Sequence, residues 1–234
     1  MMMMDTQTNL WEPKFERRYY QRKFGDIFGG KLFTWKELEF FINIRPLMTS
    51  KRVIQHEGLY EWDNSAWHHD KNCYPPSILE GIIERSVCYL TDASRFTFKI
   101  NSFAKHLEEE YVRPFDAHIF ICRNISANHP FGAHFDQQHN IIVQCEGISN
   151  WKVWDKIDDE QQKKLQKSGE NIKMNMDGDP ILDVVMTSGD AIWIPKHYPH
   201  QVTSKTGRLS VSFPQAWEGR FNSNDFEERK WIKL

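Results

Sequence analysis

The sequence predicts a mainly β chain with surrounding helices, closed as a jelly roll, and three observations carry that prediction. Seven short apolar or alternating stretches follow one another between residues 116 and 216. Turn residues separate them, in SANHPFG, Glu146-Gly147 and Ser188-Gly189-Asp190. Before residue 116 the pattern differs, with helix caps mixed among irregular segments. Short strands at this spacing build a sandwich or barrel of the jelly-roll kind.

In chain order, Thr34 is placed to cap a helix carrying Leu38, Phe41 and Ile42, and Pro46 ends it. Residues 56–77, rich in His, Trp, Asn and Pro, read as a long loop. Ser77 caps a second helix through Ile78, Ile82 and Ile83. Residues 96–100 read as a short strand, and Ser102 as the cap of a helix ending before Pro114. The strands HIFIC (118–122), NIIVQC (140–145) and NWKVW (150–154) follow. One helix over 157–168 is an insertion, with Glu160 and Lys164 at favourable spacing and Gly169 after its end. ILDVVM (181–186), AIWIP, HQVTS and RLSVSF complete the set.

Length and composition set the frame. At 234 residues, one domain over 1–234 is expected. It divides into a helical and loop-rich part (1–115), a jelly-roll core (116–216) and a tail (217–234). No run of about 18 apolar residues exists, so a membrane-spanning helix is not expected. The first residues lack the basic-then-apolar pattern of a secretion signal, which points to a cytoplasmic chain. A net charge of -2 argues against a dedicated nucleic-acid binder. FERRYYQRKF at 15–24 mixes basic and aromatic residues; a solvated amphipathic end is the simpler reading, contact with an acidic partner or RNA the alternative. Cys73, Cys88, Cys122 and Cys145 form no CxxC pair, so they are expected as reduced, mostly buried thiols.

Gly132-Ala133-His134-Phe135-Asp136 carries the sharpest chemistry. In a strand, residues i and i+2 share a face, so His134 and Asp136 would point together. A third ligand is available in Ile194-Pro195-Lys196-His197-Tyr198-Pro199-His200. Two imidazoles and one carboxylate on one face of a metal, with the opposite face open, is the arrangement of non-haem Fe(II) oxygenases. His-x-Asp alone also occurs by chance, and His197 competes with His200 for the third place.

The stretches GAHFDQQHNIIVQCEGISNWKVW and PILDVVMTSGDAIWIPKHYPHQV resemble the JmjC and cupin-like hydroxylases of the Fe(II)/2-oxoglutarate superfamily. They are similar in particular to ribosomal-protein oxygenases and to the asparaginyl hydroxylase that modifies hypoxia-inducible factor. The resemblance covers residues 117–154 and 180–213. It implies a cupin-like double-stranded β-helix, and Fe(II), 2-oxoglutarate and O2 as cofactor and co-substrates. The family's ligand follows an aromatic-Pro pair, here Tyr198-Pro199, so the resemblance selects His134, Asp136 and His200. His197 stands where the family often has Gly.

The resemblance departs at one position. The family's Lys or Arg for the distal carboxylate of 2-oxoglutarate sits two residues before the strand Trp, and here that residue is Ser149. Lys152 alternates with Trp151 and Val153 and is expected outside the barrel. On the last strand Arg208, Ser210 and Ser212 face one way, while Leu209, Val211 and Phe213 face the other. Arg208 and Ser210 also match an Arg-x-Ser motif of other 2-oxoglutarate oxygenases, and the fork of an arginine suits a carboxylate. Asn140 matches an Asn near the co-substrate in the asparaginyl hydroxylase pattern.

The implied activity is hydroxylation of an unactivated carbon. A side chain in a peptide or protein is favoured over a free metabolite, and a homodimer is compatible with the aromatic-rich first half. Two other readings stay open: a metal-dependent cupin enzyme that does not use 2-oxoglutarate, which Ser149 motivates, and a non-catalytic jelly-roll binding protein.

Overall fold

The computed structural model describes residues 12–44, 53–56, 83–84, 87–90, 93–123, 132–158, 160, 174 and 176–215. Ten strands and three helices are described: β1 (Lys14–Glu16), α1 (Tyr19–Phe28), α2 (Trp35–Ile44), β2 (Val53–His56), β3 (Val87–Leu90), α3 (Phe98–Tyr111), β4 (His118–Cys122), β5 (Asn140–Glu146), β6 (Ser149–Val153), β7 (Leu182–Met186), β8 (Ala191–Ile194), β9 (His200–Ser204) and β10 (Arg208–Pro214). A seven-stranded sheet runs β1-β8-β5-β10-β4-β3-β2, and a three-stranded sheet runs β7-β6-β9. All pairings are antiparallel. Two facing antiparallel sheets with crossovers make the jelly-roll fold that the strand pattern predicts.

Strand parity divides the large sheet into two chemistries. One face of β5, β8 and β10 carries Ile141, Val143, Cys145, Ala191, Trp193, Leu209, Val211 and Phe213, which pack with Tyr19, Tyr20 and Phe24 of α1 and Phe103 and Leu107 of α3. The other face looks toward the small sheet. There Ile142, Ile192 and Ile194 pack with Trp151, Val153, Met186 and Val202. The remaining positions of that inner face are polar: Asn140, Gln144, Ser149, Arg208, Ser210 and Ser212 are all buried.

Two glycines close the turns that the sequence marks. Gly147 and Gly189 both have positive φ, and a Cβ on Gly147 would strike the Gly207 carbonyl while one on Gly189 would strike Gln21. The second turn is the docking point of the first half of the chain. The Tyr20 N–H donates to the Gly189 carbonyl (3.1 Å), and buried Asp190 accepts from Arg17 Nη1 (2.9 Å), the Arg18 N–H (2.9 Å) and Thr187.

Three expectations need correction. Residues 96–100 are not a strand: Thr97, not Ser102, caps α3, its Oγ1 accepting from the Ile100 N–H at 3.1 Å. Ile100, Phe103, Ala104 and Leu107 then bury one helical stripe, a period that outweighs the short β-like run. Residues 15–24 are not a solvated end. They form parts of β1 and α1, and Tyr19 meets Trp193 edge-on at 4.8 Å between centroids. Ala133 and His134 lie in isolated bridges to Met174 and His200 rather than in a full strand. The Thr34 cap is present, as Thr34 Oγ1 accepts from the Glu37 N–H at 3.1 Å. Cys122 and Cys145 are free and buried. The helix at Ser77, most of the loop 56–77, all but the first two residues and Glu160 of the expected helix 157–168, and the tail 217–234 lie outside the described residues.

Candidate metal centre

His200 opens β9, and His134 is bridged to it by two backbone hydrogen bonds, 3.0 Å from the His134 N–H and 2.7 Å from the His200 N–H. That bridge sets the two imidazoles side by side, with ring centroids 4.4 Å apart. Asp136, two residues on, brings a carboxylate oxygen to 3.8 Å from His200 Nε2. One ligand atom from each of the three residues lies within 4.8 Å of the others.

The protons are placed by the backbone. His134 Nδ1 faces the Gly132 carbonyl at 3.2 Å, and His200 Nδ1 faces the Tyr198 carbonyl at 3.1 Å. A carbonyl only accepts, so each Nδ1 carries the hydrogen and each Nε2 keeps its lone pair. Burial, then the neighbouring His200, holds the His134 imidazole well below its ordinary pKa, in the neutral form a metal requires. The Asn140 side-chain amide donates to Asp136 (3.3 Å) while its carbonyl accepts from Ser212 Oγ (2.7 Å). Asn140 thus ties the Asp136 carboxylate to β10.

Two imidazole lone pairs and one carboxylate suit a divalent first-row metal, and the two-His-one-carboxylate set is that of non-haem iron. His197 is not part of this group. It adopts a left-handed φ of 70°, the region glycine favours, and its Nε2 lies 3.1 Å from Gln137 Oε1.

Further along the same inner face sits Arg208, 2% exposed. Its Nε donates to Ser210 Oγ at 3.0 Å, and that is its only hydrogen bond among the described residues. Its guanidinium lies 5.3 Å from the Phe120 ring and 5.2 Å from the Trp151 ring. No carboxylate faces it among the described residues, and burial pushes its pKa down to about 10, so it stays charged near neutrality. Trp151 also stacks on His200 at 6.1 Å, so one indole touches both the arginine and the triad. Ser149 is turned into this wall: its Oγ donates to Gln144 Oε1 (2.8 Å) and accepts from Trp151 Nε1 (3.0 Å). Lys152 points outward toward Asp183 (3.8 Å), as strand parity requires.

All six candidate residues, His134, Asp136, His200, Asn140, Arg208 and Ser210, therefore converge on one interior. Three contributors were not singled out in the sequence. Ser212 and Gln144 follow from the same period of two that placed Arg208; Phe120 follows from its register opposite Ser210.

Comparison with known proteins extends the geometry. A family model described as the JmjC domain matches residues 89–218. Ribosomal oxygenase 1 of Danio rerio is 32% identical over 71 residues, covering 30% of this chain and 13% of that protein. The "Bifunctional lysine-specific demethylase and histidyl-hydroxylase NO66" of Caenorhabditis elegans is 23% identical over 203 residues, covering 84% of this chain and 26% of that protein. This chain thus spans a minor part of these relatives' length. Among solved structures, the ribosomal oxygenase YcfD of Escherichia coli in complex with cobalt and 2-oxoglutarate aligns with a TM-score of 0.56 at 16% identity, covering 96% of this chain and 55% of that one. That likeness is one of fold. The family match spans more than half of the chain and contains all three candidate ligands, and the chain belongs to the JmjC domain family.

Proposed function

We propose that this chain is an Fe(II)- and 2-oxoglutarate-dependent oxygenase that hydroxylates an unactivated carbon of an amino-acid side chain in a peptide or protein. One observation carries the reading: two bare imidazole nitrogens and a carboxylate share an interior with a buried, unpaired guanidinium. An iron enzyme using a 2-oxo diacid needs that pairing, a metal site and a separate cation.

In this reading His134, Asp136 and His200 hold the metal, and Arg208 takes the distal carboxylate with its two free amino groups while Ser210 fixes Nε. Bound iron would supply oxygen activation, with 2-oxoglutarate consumed to succinate and carbon dioxide. The chain's own residues do the rest. The Gly132 and Tyr198 carbonyls keep both imidazoles in the ligating tautomer. Asn140 holds the Asp136 carboxylate in place, with Ser212 behind it. Phe120 and Trp151 wall the interior and limit water around Arg208.

A protein substrate is supported by the relatives' names, which include a histidyl-hydroxylase and ribosomal oxygenases. Among the described residues no helix is long and apolar enough to cross a membrane. A cytoplasmic site of action and a single folding unit over 1–234 belong to the same reading; the packing of Tyr19, Tyr20 and Phe103 onto the large sheet supports the latter. The test is incubation of the chain with Fe(II), 2-oxoglutarate and a peptide library. Succinate formation coupled to a one-oxygen mass gain on a peptide is expected. A one-oxygen gain that does not depend on 2-oxoglutarate would favour the cupin enzyme that dispenses with it.

A further inference from the structure

Arg208 poses a problem that the triad does not. It is 2% exposed, and the groups around it from every neighbouring strand are neutral. β4 contributes Phe120 and the Cys122 thiol, which pair with Ser210 and Arg208 in register. β5 contributes Gln144, whose Oε1 is taken by Ser149 and whose Nε2 is taken by the Glu146 carbonyl (2.6 Å). β6 contributes Ser149 and Trp151, bonded to each other. β10 itself offers only the Ser210 hydroxyl, already in use by Nε. A buried cation with no counter-charge destabilises a fold, because desolvation is not offset by a partner. The nearest charged candidate, Asp136, is held by Asn140 beside the imidazoles rather than by Arg208.

We infer that the Arg208 pocket binds a short dicarboxylate without any metal, and that this anion is a structural partner of the fold as well as a co-substrate. The inference rests on the proposed co-substrate reading and adds to it an order of events: the acid can enter first. Ser149, Gln144 and Trp151 form a closed hydrogen-bonded wall that does not depend on the metal ligands, so the cation is presented whether or not the triad is filled. The pocket accepts the product succinate as well, since the carboxylate that meets Arg208 is common to both acids. Succinate at high concentration therefore occupies the metal-free chain too.

The experiment is thermal melting of the 234-residue chain in excess chelator, titrated with succinate, 2-oxoglutarate and, as a monocarboxylate control, acetate. At a concentration near 100 times the dissociation constant, either diacid is expected to raise Tm by roughly 5–10 °C. Arg208→Met is expected to abolish that shift and, having lost an uncompensated charge, to melt no lower than the parent without ligand. Arg208→Lys, which keeps charge but loses the fork, covers the case in which the Met variant does not fold; it is expected to retain a smaller shift. Lys152→Met keeps the full shift. A shift that appears only once Fe(II) is added overturns the inference and leaves the co-substrate reading intact. No shift with or without metal overturns both. A full shift in Arg208→Met overturns the assignment of the pocket.

Discussion

The two ends of the barrel interior solve opposite problems. At the triad, side chains that would carry charge near neutral pH are kept neutral or paired: each imidazole donates Nδ1–H to a carbonyl, and Asp136 is held by Asn140. At the other end a permanent cation is kept charged and unpaired between two aromatic rings. The first end is built on a bridged segment and a strand start, where backbone hydrogen bonds set the geometry. The second is built on the middle of the sheet, where strand register sets it. A site made by turns tolerates changes of neighbours poorly, while a site made by register is fixed by the pleat.

The largest effects should come from removing ligands at the triad. His134→Ala, Asp136→Ala and His200→Ala are each expected to lower Fe(II) affinity by more than about 100-fold with the fold retained, as read by equilibrium metal titration and circular dichroism. His197→Ala, whose ring pairs with Gln137, should bind iron as the parent does. If the His197 variant fails and the His200 variant does not, the distal ligand is wrongly placed.

The arginine end should respond in the co-substrate and not in the metal. Arg208→Ala is expected to raise the 2-oxoglutarate concentration needed for half-maximal succinate formation by about 30-fold or more, from a charge-assisted pair of roughly 2–5 kcal/mol. Lys152→Ala should leave it unchanged. The reverse pattern would mean that β6 supplies the cation and that the parity argument fails.

Between the two ends, Asn140→Ala removes the amide from Asp136 and is expected to weaken iron binding by about 10- to 100-fold, less than loss of a ligand. Ser212→Ala, one bond further away, should act in the same direction and more weakly.

The smallest effect concerns pH. His139 accepts the Lys196 N–H at 3.4 Å, and burial, followed by the Lys196 charge, pushes its pKa from 6.5 down to about 4. As pH falls from about 6.5 to about 4, the unfolded chain takes up the proton and the folded chain does not, so stability falls over that window. Above pH 6.5 this residue makes stability flat. His139→Asn should reduce the loss in urea midpoint between pH 7 and pH 5; an unchanged loss would place the sensitivity elsewhere, His134 being the first candidate.

How much was legible in the sequence follows the same division. Arg208, Ser210 and Ser212 could be placed inside, and Lys152 outside, because a strand alternates strictly and its apolar partners Leu209, Val211 and Phe213 mark the other face. His134, Asp136 and His200 could be picked out only through the family resemblance, because the tautomer-setting carbonyls and the bridge between residues 66 apart are tertiary. The first half was read less well. Tyr19, Tyr20 and Phe24 look like a basic amphipathic end until the Gly189 turn and Trp193 receive them. Phe98 led the 96–100 run toward a strand although it is exposed, while the stripe that matters begins at Ile100.

The central claim is that one interior holds iron at His134, Asp136 and His200 and the distal carboxylate of 2-oxoglutarate at Arg208. Anaerobic titration with Fe(II) and then 2-oxoglutarate, followed by visible absorption, tests it most directly. A metal-to-ligand band that needs both additions is expected in the parent, absent in Asp136→Ala, and moved to higher 2-oxoglutarate concentration in Arg208→Ala. A chain that binds Fe(II) but develops no band at any 2-oxoglutarate concentration would contradict the account.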